Sequence, residues 1–256
     1  LRGSSGGSSG RLVRRVLQLS FGLVLYGVSL ALMVRAGLGL GPWDVFHQGV
    51  AEHTGLSIGT VVIITGAAVL LLWIPLRERP GPGTVANVFV VGLAMDGALA
   101  LLPEPRAMAV RVPLLAVAVV LNGVATGLYI AARFGPGPRD GLMTGLHRVT
   151  GRSVRLVRTG IEVVMLVTGF LLGGTAGAGT VVYALAIGPL AQLFLRLFAV
   201  PVPEVPLPES PESPESSESS ESSGPPGTGP AAEAGTGTGA PDRPGECRDG
   251  QAILRP

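Results

Sequence analysis

One stretch of this chain occurs twice, 96 residues apart and without a gap. Gly41, Pro42, Asp44, Gly49, Thr54, Gly55 and Ser57 recur as Gly137, Pro138, Asp140, Gly145, Thr150, Gly151 and Ser153. The same offset carries Gly27 onto Gly123. It also carries Gly81, Gly83, Thr84, Val85 and Gly92 onto Gly177, Gly179, Thr180, Val181 and Gly188. A repeat of this length sets the architecture before any single site is considered, because the fold has to hold two copies of one unit.

Six apolar spans show where those copies lie. They are predicted as helices over Leu12–Val34, Ser57–Leu76, Thr84–Leu102, Val112–Ala132, Leu156–Gly173 and Thr180–Val200. Each is close to the roughly 20 residues that cross roughly 30 Å of hydrocarbon. Composition agrees: 47% of residues are hydrophobic and 14% charged, which is the make-up of a membrane protein. The first span follows Arg11, Arg14 and Arg15, as a signal peptide would, but it aligns with the fourth span and so belongs to the folded unit.

Three spans per copy is an odd number, so the second copy must run through the bilayer in the opposite sense to the first. Arginine placement gives the same answer independently. Arg11, Arg14 and Arg15 precede span one, and residues 36–56 carry none. Arg77 and Arg79 follow span two, and only Arg106 and Arg111 follow span three. Arg133, Arg139, Arg148, Arg152 and Arg155 follow span four, and the last loop, GGTAGAG, has none. Both ends of the chain are therefore expected in the cytoplasm of a bacterial cell, with the body in the inner membrane. The expected fold is all-α and transmembrane: a six-helix bundle of two inverted three-helix repeats, residues 11–102 and 103–200. Residues 1–10, rich in Gly and Ser, are expected to be flexible.

Beyond residue 200 the character changes. Residues 201–256 hold three Arg against ten acids, whereas residues 1–200 hold sixteen Arg against seven acids. This acidic segment, rich in Pro, Ser and Gly, cannot bury a core and is expected to be a disordered cytoplasmic tail. The basic excess lies in loops beside apolar spans, which argues against nucleic acid as a partner.

Several chemistries are excluded. The chain has no lysine, so it has neither a Walker-type phosphate loop nor a lysine Schiff base. Its single cysteine, Cys247, can form no intrachain disulfide. His47, His53 and His147 lack the spacing of a helical metal pair and read as solvated interface residues. No nucleophile–base pair is visible, so an enzyme is not expected, nor is a cofactor.

The shared Gly-Pro-x-Asp segment has two readings. Pro and Asp suit a helix start, with Asp44 and Asp140 accepting from free backbone N–H groups. Thr54-Gly55 and Thr150-Gly151 then end short helices, and Ser57 and Ser153 cap the next spans. Such helices can lie flat at the interface. Alternatively they re-enter the membrane, bringing positive N-terminal dipoles to a central site. Gly-x-Gly-Thr at 81–84 and 177–180 reads as a tight turn followed by a threonine N-cap.

Asp96, Asn122 and Glu162 lie inside spans, where a charge costs ~2.5–3.5 kcal/mol on insertion scales. Glu162 has Arg158 one turn earlier to pair with. Asp96 has no positive residue a turn away, and Asn122 stands at a similar depth to hydrogen-bond with it. Its repeat mate is Gln192, so this charge belongs to one half only. Asp96, Asn122, Asp44, Asp140 and Glu162 are the candidate lining of a substrate or ion pathway.

The stretches GLGLGPWDVFHQGVAEHTGLSIGTV (37–61) and GPGPRDGLMTGLHRVTGRSVRLVRTGIEV (135–163) resemble the YczE-type family of bacterial multi-pass membrane proteins, related to the YyaS/YitT group. The GPGT and GAGT turns add to the likeness. The resemblance implies an integral membrane protein and supplies no catalytic or binding residues. The expected function is a small secondary transporter or exporter of a small molecule or ion. The rival expectation is a membrane scaffold or regulator that engages a protein partner through loop 133–155 and the acidic tail.

Overall fold

The computed structural model describes residues 5–198 as eight helices: α1 (Ser5–Ala36), α2 (Pro42–Thr54), α3 (Ile58–Leu76), α4 (Pro82–Leu101), α5 (Met108–Ala131), α6 (Pro138–Thr150), α7 (Val154–Leu171) and α8 (Ala178–Phe198). No strand occurs among the described residues. The expected acidic tail lies outside them. α1 begins at Ser5 and takes Gly and Ser residues that the sequence reading left flexible.

Five helices are long and apolar enough to cross a membrane: α1 over Leu12–Ala36, α3, α4, α5 and α8. The remaining predicted span forms as α7, but Arg155, Arg158 and Glu162 lie in its first half. Two of these, Arg158 and Glu162, line a cavity and pair with each other, which is how charged groups at such depth are tolerated.

The offset of 96 survives in the helices themselves. α2 and α6 both run from a Pro at the first helical position to a Thr, and Gly55 and Gly151 end them in left-handed conformation at φ 71° and 65°. The expected caps are present: the Ser57 hydroxyl accepts from Thr60 N–H and that of Ser153 from Leu156 N–H.

The two halves are interwoven. α1 packs along α5, and Arg15 near the start of α1 donates to the carbonyls of Ala132 and Arg133 just past the end of α5. Arg111 near the start of α5 donates in turn to the carbonyls of Ala36 and Gly37, at 2.6 Å each. These are position-equivalent contacts, and they make α1 and α5 antiparallel. Each arginine supplies donors to the orphan carbonyls that close the other half's long helix. The Gly-x-Gly-Thr turns do the same for the loops. Gly83 N–H donates to Phe134 O at 3.0 Å, and its mate Gly179 N–H to Leu38 O at 2.8 Å. The threonines are not N-caps as expected. Gly81 caps α4, and Thr84 reaches back from the third helical position to accept from Gly81 N–H while donating to Pro136 O.

α1 also packs on α4, and α5 on α8; α3 packs on α6, and α7 on α2. These pairs are equivalent under the offset. The largest unmatched seam is that of α3 on α4, since α7 and α8 form no such seam.

Candidate functional site

The unmatched seam decides where the interior opens. α2 and α6 point their N-termini at one another. Gly41 and Gly137 stand just outside the two helices, and neither cap position makes a side-chain bond. The residues after the two prolines, Trp43 and Arg139, hold the same place in the repeat, and they touch. The Arg139 guanidinium lies 5.0 Å above the Trp43 ring, a cation–π contact. This contact and the two helix N-termini beside it define the axis of the site.

Around this contact lie the first turns of both short helices. Asp44 is buried, 2% exposed. Its Oδ1 lies 3.5 Å from Arg139 and 3.4 Å from His47 Nδ1. Asp140 Oδ2 accepts from the Tyr129 hydroxyl at 2.9 Å.

Two cavities flank the axis and share Tyr26, Trp43, Tyr129, Arg139 and Asp140 in their walls. The smaller, about 80 Å³, lies on the α3–α4 side against Thr65, Gly66 and Val88. The larger, about 290 Å³, lies between α7 and α8 against Arg158, Glu162, Ile187 and Gln192. Gly66 is the mate of Glu162, so these are the same region of the two halves, narrow in one and wide in the other.

Asp96 explains the narrow side. It sits on α4 and caps the start of α3, taking the Ser57 hydroxyl at 2.5 Å and Gly59 N–H at 2.8 Å. Gly59 and Gly92 let the two backbones approach, since a Cβ on Gly59 would stand 2.2 Å from Gly92 O. The mate Gln192 lines the wider cavity instead.

The sequence candidates are thus only partly brought together. Asp44, Asp140 and Glu162 line the larger cavity. Asp96 lies apart from it. Asn122 does not bond to Asp96 as expected: it donates to Ser29 Oγ at 2.8 Å and accepts from the Tyr183 hydroxyl at 3.2 Å, tying α1, α5 and α8 together. Glu162 does pair with Arg158, at 2.9 Å. The expected capping role of Asp44 is replaced by its contacts with His47 and Arg139. His47, expected to be solvated, is 1% exposed.

Sequence reasoning missed Arg139, Trp43, Tyr26, Tyr129 and Tyr183. A signal for the first two was available: Trp and Arg occupy the one variable position inside an otherwise duplicated Gly-Pro-x-Asp.

A family model described as a family of unknown function, DUF6198, matches residues 13–196. An uncharacterized protein of Haemophilus influenzae is 38% identical over 188 residues, covering 73% of this chain and 86% of the relative. The uncharacterized membrane protein YczE of Bacillus subtilis is 34% identical over 174 residues, 68% of this chain and 80% of the relative. The uncharacterized protein YyaS of Bacillus subtilis is 22% identical over 187 residues, 72% of this chain and 93% of the relative. No solved structure matches.

Proposed function

The chain belongs to the DUF6198 family of YczE-type membrane proteins, and on that premise we propose that it is a small secondary transporter of the bacterial inner membrane. In this reading α1, α3 and α4 form one repeat and α5, α7 and α8 an inverted second, with both chain ends cytoplasmic. α2 and α6 re-enter the membrane from opposite faces. The observation that carries the proposal is the meeting of their N-termini. Helices lying flat on two surfaces roughly 30 Å apart could not bring Asp44 within 3.5 Å of Arg139. Half-length helices that meet end to end near the midplane, with their positive ends at a cavity, are a recurrent plan of inverted-repeat transporters. Irregular backbone such as residues 37–41 is tolerated at that depth when it is covered by protein.

The unequal halves fit alternating access. The α3–α4 pair, latched by Asp96, closes the outer side. The α7–α8 pair, unlatched, opens the larger cavity to the cytoplasm. Exchanging the two arrangements would open the outer side and close the inner one, as inverted repeats allow.

Asp96→Asn is therefore expected to release the latch. Each bond to a charged group is worth ~1.5–3 kcal/mol, so losing the charge should raise the outward-open population at least about tenfold. The check is thiol labelling in a Cys247→Ser background. Thr65→Cys, on the closed side, should label at least about tenfold faster from the periplasmic face once Asp96 is changed, while Gln192→Cys labels from the cytoplasmic face in the parent. Unchanged Thr65→Cys labelling sinks the latch. Deleting residues 201–256 should leave both patterns intact and leave cellular function unaffected. Lost function with an intact membrane body would favour the scaffold reading instead.

A further inference from the structure

We infer that the central cavity binds an organic monocarboxylate together with one proton, with Arg139 and Trp43 holding the anion and the Asp44–His47 pair taking the proton. The inference rests on the transport reading and names the substrate class of that same site.

One donor beside the cavity lacks an acceptor, and another is only loosely paired. Trp43 is 4% exposed, and its indole N–H finds no hydrogen-bond partner among the described residues. An indole N–H can only donate, and a buried donor left alone is rare enough to require a partner. The Arg139 guanidinium carries five N–H groups. Its ion-pair partner is Asp44 Oδ1 at 3.5 Å, longer than a normal hydrogen bond. Both side chains line the cavity of about 290 Å³, and both helix N-termini add positive potential there. A carboxylate fits this set of donors, because the guanidinium fork grips two oxygens at once. Ile130, Met143, Ile187 and Leu195 supply an apolar wall for a compact body.

Asp44 follows from charge balance. At rest it is the countercharge of Arg139. When the ligand's carboxylate takes that role, Asp44 is left as a buried anion near the end of the cavity. The groups facing it are Tyr26 of α1, His47 of α2, Tyr129 of α5, Arg139 and Asp140 of α6, and Tyr183 of α8; on α7, Arg158 and Glu162 pair with each other. The part of α3 that reaches the axis offers Thr65, Gly66 and Val69, none of which titrates. The other cation of the cavity, Arg158, is paired with Glu162, so the Asp44–His47 pair, 3.4 Å apart, takes up one proton from water. Net charge at the axis is then unchanged by binding: one anion and one proton enter together, and Arg139 keeps one countercharge throughout.

The test uses three molecules of one shape and three charges: benzoate, benzamide and benzamidine. With the full chain in lipid nanodiscs, benzoate should bind at least about tenfold more tightly than either of the others. Its affinity should rise about tenfold for each pH unit lowered across the range where one proton is taken up, with that uptake read by a pH dye in weak buffer. Asp44→Asn should bind benzoate without the pH dependence, and Arg139→Gln should lose the preference for benzoate. Should Arg139→Gln not fold, the pH dependence of the parent decides alone. Benzamidine binding as tightly as benzoate, binding of none of the three, or benzoate binding without proton uptake each overturns the inference. In proteoliposomes, benzoate that binds but does not cross removes the transport reading and leaves the site. Benzamidine that crosses leaves the transport reading and removes the site.

Discussion

Asp44→Ala is expected to lower the melting temperature of the purified protein more than any other single change at the axis. It leaves Arg139 in the protein interior without the carboxylate it pairs with. Removing one partner of a buried pair costs ~3–5 kcal/mol, because the other charge is stranded. Arg139 keeps 25% of its side chain exposed to the cavity, where water can reach it, which places the effect at the low end of that range. The double variant Asp44→Ala/Arg139→Gln should recover most of the loss, since replacing both members of a buried pair is often nearly neutral. A double variant as unstable as the sum of the two singles would mean that the residues act independently. Melting followed by circular dichroism in nanodiscs reads all three variants.

The second large effect concerns a glycine that sequence reasoning passed over. Gly169→Ala should prevent α7 from seating on α2. A Cβ there would stand 2.3 Å from Phe46 N and 2.5 Å from Val45 C. These are main-chain atoms and cannot rotate away. Overpacking a tight interior typically costs 1–3 kcal/mol, occasionally more, and a backbone clash belongs at the upper end, at roughly 3 kcal/mol. Gly160→Ala on the same helix is the control. Nothing lies within 4 Å of a Cβ at that position, and the change should be neutral or stabilise the helix by about 0.5–1 kcal/mol. Equal losses for the two variants would show that helix propensity, and not the α2–α7 contact, is responsible.

This contact also marks how far the repeat could be read. The offset of 96 located the half-length helices, and their glycine ends and serine caps stand where the sequence put them. It could not reveal that equivalent contacts exchange large for small. Under the offset Gly169 is the mate of Trp73, and Val45 the mate of Gly141. A Cβ on Gly141 would stand 2.0 Å from the Trp73 ring, while in the other half Gly169 receives Val45. Each half therefore fills the same joint with a different residue, and a search for identical residues misses both. Burial was illegible for a similar reason. His47 and Asp44 lie on a short helix whose apolar pattern gives no sign that its polar side is also covered, because the cover comes from α6, a hundred residues away. Arg139 carries weight as a loop charge in the count that orients the protein, and the same residue stands at the centre of the cavity. Asp96 was recognisable as an unusual charge, but its partner is the backbone of α3, which no spacing along α4 predicts.

The stacking of Arg139 on Trp43 has a consequence for symmetry. A residue on a twofold axis meets its own copy in any pair of identical halves. Two copies of the first half would set tryptophan against tryptophan, and two of the second would force arginine against arginine. One of each there requires two halves that differ, whether joined in one chain or made separately. With Trp43 in one and Arg139 in the other, a pair of identical copies of either half would lose the contact between ring and guanidinium.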